Sequence, residues 1–152
     1  MNAELRFLTG EQLRLATAVL DVIIPPDGER PGAGGAGGAE RLDAILAERP
    51  DVRRPVLDAL RAIDIAAGPC GFLAHDPAAR PDVLRTVEAA QPEAFTALVT
   101  QTYNAHYTCP KVRRALGFTP ENPQPEGYTQ ARPFDPALLE GVRTRNRTWR
   151  RV

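Results

Sequence analysis

Apolar residues recur three and four positions apart along most of the first two thirds of this chain, the mark of helices that each bury one face. Leu13, Ala16, Leu20, Ile23 and Ile24 share a face. Thr9, with Gln12 three positions later, forms a capping box in front of them, and Pro25-Pro26 stops the element. A short helix over 39–48 places Leu42, Ile45 and Leu46 together. Pro50-Asp51 opens a third, with Val52, Val56, Leu60, Ile63 and Ala67 in line and Gly68-Pro69 as its end. Pro55 is assigned to the first turn, where amides lack partners in any case.

Pro81 begins a stretch with Val83, Leu84 and Val87. Pro92 begins the most regular pattern, in which Phe95, Leu98, Val99, Thr102, Tyr103 and His106 read as one core stripe. Residues 111–116 give one or two turns ended by Gly117. Asp135-Pro136 pairs an N-cap with a first-turn proline ahead of Leu138, Leu139 and Val142. No alternation of β-branched residues runs long enough for a strand, and no repeat of solenoid period occurs. The expected fold is therefore all-α. A small, irregular domain of six or seven short helices with long Pro/Gly-rich loops occupies residues 1–117. An extended Pro- and Arg-rich arm with one short helix, residues 118–152, packs on the domain and on a partner.

Fifteen prolines and twelve glycines in 152 residues explain the shortness of the helices, because both residues punctuate regular structure. With 43% apolar residues the chain still has enough for one core. No run approaches the ~20 apolar residues of a membrane span, and the polar start is unlike a signal peptide, so no membrane contact is expected and a cytoplasmic location is favoured over co-export with a partner that carries the signal. The 19 basic and 19 acidic residues are unevenly placed: the last ten positions hold five arginines and no acid, which leaves the remainder net acidic. Such a tail suggests a nucleic-acid adaptor as one alternative, but an acidic body and the lack of any helix-turn-helix, zinc-finger or stacking pattern favour a tail that packs on acidic protein surface.

Candidate chemistry is sparse. Gly32-Ala33-Gly34-Gly35-Ala36-Gly37 matches the dinucleotide fingerprint formally, with Asp51 near the distance of a ribose ligand, but a helix and a double proline precede it where a strand is needed, so it reads as a flexible loop. His75 and His106 are the only histidines. His106 with Cys109 makes half of a metal site at most and reads as a partly buried structural residue, while His75-Asp76 are adjacent and poorly disposed for a relay. The chain has no serine, and nothing near Cys70 would activate its thiol for catalysis; a disulfide, a bond to a partner and two free thiols are all open, and without a signal peptide free thiols are expected. A stand-alone enzyme using His106 or His75 as acid or base is the second alternative. The segments outside the helical core carry Tyr107, Phe118, Pro125, Tyr128, Phe134, Arg147 and Trp149, the residue types that dominate protein interfaces, and these are the expected partner contacts.

The order of several short motifs resembles one family. Phe7-Leu8-Thr9 with Glu11-Gln12-Leu13, then Ile23-Ile24-Pro25 with Asp27, Pro31-Gly32-Ala33 and Ala36-Gly37 before the helix containing Asp43, are similar to the opening of the gluconate 2-dehydrogenase subunit 3 family. The likeness resumes at 103–107, at Arg114-Ala115-Leu116-Gly117 and at Gln124-Pro125 with Gly127-Tyr128. It implies a non-catalytic small subunit that binds and stabilises a large oxidoreductase of the glucose-methanol-choline type. That partner would oxidise sugars, sugar acids or other alcohols with its own FAD, and no cofactor would be held in this chain. Exported members of the family carry a twin-arginine leader, which this sequence does not begin with.

Overall fold

The computed structural model describes residues 7–28, 30–118 and 135–144, the side chains of 138, 142 and 143 excepted. The structure divides into two compact units, Met1–Phe118 and Thr119–Val152. In the first, six helices follow in order: α1 (Gly10–Ile23), α2 (Gly38–Glu48), α3 (Pro50–Ala66), α4 (Arg80–Ala90), α5 (Pro92–Thr108) and α6 (Pro110–Ala115). In the second, a 3₁₀ turn at Pro136–Leu139 leads into α7 (Glu140–Arg143), with the Asp135 carboxylate accepting from the Ala137 amide as its cap. No strand occurs among the described residues; an isolated bridge pairs Asp27 with Arg30. The all-α fold is thus what the apolar spacing implied.

Helix α1 starts where its capping box predicts: Thr9 Oγ1 accepts from the Gln12 amide and Gln12 Oε1 from the Thr9 amide, satisfying two donors that the first turn leaves open. Proline opens α3, α5 and α6 and stands second in α4, positions where its missing N–H costs nothing. The core forms where α3 and α5 pack together, with α2 on α5 and α1 on α2. Leu20, Leu42, Leu46, Val56, Ile63 and Leu98 meet there, fully buried. Phe72, from a 3₁₀ turn at Phe72–Ala74 after α3, fills the remaining gap under an Arg80 guanidinium.

Three expectations require correction. The segment 32–38, read as a flexible loop, is a buried turn: Ala33 and Ala36 lie in the interior, and the Asp21 carboxylate of α1 accepts from the Gly34 and Gly35 amides at 2.8 and 3.1 Å. Its glycines serve close approach rather than phosphate binding, since a methyl group on Gly34 would overlap the Thr17 carbonyl oxygen and the Asp21 carboxylate. Pro55 lies beyond the first turn of α3, because the helix begins at Pro50; the helix continues through it with one backbone donor missing. The α5 stripe is not wholly core. Phe95, Leu98, Thr102 and His106 are buried and joined by Gln101 and Ala105, whereas Tyr103 is 46% exposed, because the helical repeat carries it one step past the buried face.

Candidate functional site

The C-terminal half of α5, the short helix α6 and the loop after α1 converge on an aromatic cleft. Tyr103 and Tyr107, one turn apart, stack with ring centroids 6.1 Å apart and planes 9° from parallel, and about half of each side chain is exposed. His106 packs edge-on against Tyr107 at 5.0 Å and turns inward. Beside them opens a cavity of about 150 Å³, walled by Ile24, Pro25 and Pro31 on the loop side and by Val112, Ala115 and Leu116 of α6, with Asp27 and Arg30 among its lining residues. The proline-bounded loop and the i, i+3 and i+4 spacing of α6 place these apolar groups face to face. Leu116, in the cavity lining, is 40% exposed, and Phe118, two residues further on, is 59% exposed.

His106 is 7% exposed and its Nδ1 is buried without a hydrogen-bond partner. Burial holds its imidazole below the ordinary histidine range, so the neutral ring is favoured near pH 7. Cys109, the other half of the imagined metal pair, is buried and donates its thiol to the Ala36 carbonyl oxygen at 3.0 Å. Among the described residues no group of three or more His, Cys, Asp and Glu side chains is placed to hold a metal ion.

The other candidates lie apart. His75 Nε2 sits 2.7 Å from the Ala67 carbonyl oxygen, and Asp76 Oδ1 accepts from the Ala78 amide at 2.9 Å, so each side chain ties down its own loop and the two form no relay. Cys70 is a free, exposed thiol in the separate turn after α3. Asp51, the imagined ribose ligand, pairs at the surface with Arg49, whose hydrogen bond lowers the carboxyl pKa. Of the expected partner contacts, Tyr107 and Phe118 are exposed on the first unit, whereas Pro125, Tyr128, Phe134, Arg147 and Trp149 lie outside the described residues.

Two acidic residues to which the sequence analysis gave no structural role hold backbone elsewhere in the first unit. Asp43, 3% exposed in α2, accepts from the amides of Phe7 and Leu8 at 2.9 and 2.6 Å, and Asp21 anchors the turn 32–38 described above. The signal was present in Asp43: a carboxylate between Leu42 and Ile45 on an apolar face needs backbone donors to be buried at all.

The first unit is a small helical module whose described surface includes an aromatic cleft formed by α5, α6 and the loop after α1. The family model for gluconate 2-dehydrogenase subunit 3 matches residues 10–124, from the start of α1 past the end of α6, and the chain belongs to that family. Comparisons with curated proteins and with solved structures return no match. No helix among the described residues is long and apolar enough to cross a membrane.

Proposed function

We propose that this chain is the non-catalytic small subunit of a flavin-dependent dehydrogenase or oxidase, binding and stabilising a large FAD-containing subunit that oxidises sugars, sugar acids or other alcohols. The observation that carries this reading is family membership over residues 10–124, in a family named for one subunit of a dehydrogenase. The surface chemistry supports it. The exposed, stacked Tyr103 and Tyr107 beside a cleft are of a type enriched at interface centres, and tyrosine supplies large contact area at little entropic cost. Hydride transfer from an alcohol needs a hydride acceptor, here a flavin, and a base beside the substrate, and on this reading both belong to the partner. The complex resides in the cytoplasm.

Affinity purification of the tagged full-length chain from its native cells tests this. The expected product is a yellow complex in which one large flavoprotein, identified by mass spectrometry, is present in fixed proportion. A chain that purifies alone and itself oxidises an alcohol would overturn the proposal. Binding that weakens steeply with salt and is competed by nucleic acid would instead favour an adaptor acting through the arginine tail.

A further inference from the structure

The aromatic cleft has a charge as well as a shape. Arg30 is among its lining residues, and Lys111, Arg113 and Arg114 stand exposed on the short helix that forms its other wall. None of the four takes part in the ion pairs formed among the described residues, which are Arg49 with Asp51, Arg54 with Asp58 and Arg85 with Asp82. Asp27 lines the cleft beside Arg30, while Lys111, Arg113 and Arg114 lie outside its lining, on the helix that supplies Val112 and Ala115. Exposed aromatics at the centre with unanswered cations at the edge are the two halves of a recognition surface, the first giving affinity and the second giving orientation and encounter rate.

Size narrows the occupant. A cavity of about 150 Å³ lies below the ~300 Å³ at which small-molecule sites begin, and an apolar cavity of this volume is matched by one benzene-sized ring. The buried, unpartnered Nδ1 of His106 adds a polar atom that nothing within the described residues satisfies. A second copy of the chain is disfavoured, because a twofold contact through this face would bring its cations against one another.

Resting on the function proposed above, we infer that this cleft is the docking site for the large subunit, and that the segment it receives presents one aromatic or branched aliphatic side chain flanked by carboxylates. The apolar side chain enters between Tyr107 and Leu116. Asp or Glu residues on either side of it face Arg30 and the cations of α6.

The test uses the full-length complex. A benzophenone amino acid replaces Tyr107, and in a control protein it replaces Glu88, which is exposed beside the start of α5, the opposite end of a 17-residue helix about 25 Å long. Light is expected to join position 107, and not position 88, to a peptide of the flavoprotein containing an aromatic or aliphatic residue with Asp or Glu within a few positions. In parallel, Tyr107→Ala is expected to raise the Kd by about 30-fold, the effect of losing an anchor at an interface centre. Arg30→Glu with Arg113→Glu is expected to raise it by about ten-fold or more and to flatten its salt dependence. Helical circular dichroism unchanged from wild type confirms that each variant folds. Crosslinks from position 88 with none from 107, crosslinks to a second copy, to nucleic acid or to lipid, or a flavoprotein peptide without carboxylates would each overturn the docking site while leaving the subunit role standing. If the wild-type chain forms no flavoprotein complex, both proposals fall together.

Discussion

At the level of single residues, the structure depends on polar groups and glycines placed where apolar spacing gives no information. Gly34 is the sharpest case. Its replacement by Ala would press a methyl group onto the Thr17 carbonyl and the Asp21 carboxylate, and the loss of stability in urea unfolding is expected to be about 1–3 kcal/mol, the usual effect of overpacking. An unchanged midpoint would mean the turn yields. His106 gives the chain a pH dependence of known sign. Its folded pKa is lowered by burial, so the unfolded chain binds the extra proton more readily. The stability linked to this residue is full above the unfolded value near 6.5 and falls as pH drops through that value toward the lower folded one. His106→Gln should remove that component from unfolding curves recorded between pH 7 and 5; an identical pH profile in the variant would show that the loss comes from other groups. Neither Gly34 nor Asp21 was legible in the sequence as a packing device, because the motif around Gly34 mimics a phosphate loop and the contact that explains it spans 13 residues.

Among the elements, helices with proline or a capping box at their start were readable nearly to the residue, because local chemistry decides where a helix begins. Thr9→Ala removes one half of the box on α1 and is expected to cost about 1 kcal/mol in equilibrium unfolding, with Leu8 still buried against the core. A change within error would show that the end of α1 is held by tertiary packing alone. What local signals did not reveal was which side of α5 faces inward. Tyr103 and His106 differ by three positions and both belong to the apolar pattern, yet one is half exposed and the other buried, since α2 and α3 together cover only part of the helix. The same incomplete cover produces the Tyr103–Tyr107 stack, so the error in the stripe and the candidate site have one cause. Pro55 was misplaced for a different reason: the start at Pro50 was read correctly, but Pro55 lies five residues into the helix, past the first turn whose amides lack partners.

For the molecule as a whole, the family is named for one subunit of a dehydrogenase, and the described surface carries an aromatic cleft with Arg30 in its lining. The exposure of Tyr107 and Phe118 was foreseeable because large aromatics close to Pro/Gly-rich chain have little core to enter, whereas the loop side of the cleft was not, since Pro25 and Pro31 meet α6 only through the fold. The proposed division of labour leaves binding and stability to this chain and the chemistry to a flavin-bearing partner. It is tested most directly by turnover per flavin in fully assembled complexes, with His106→Gln at a concentration that saturates assembly compared with wild type. Turnover within about two-fold of wild type is expected, because the variant removes no interaction made only in the transition state. Loss of turnover in a complex that retains its full flavin and its subunit ratio would show that His106 acts in the reaction, and would contradict the account.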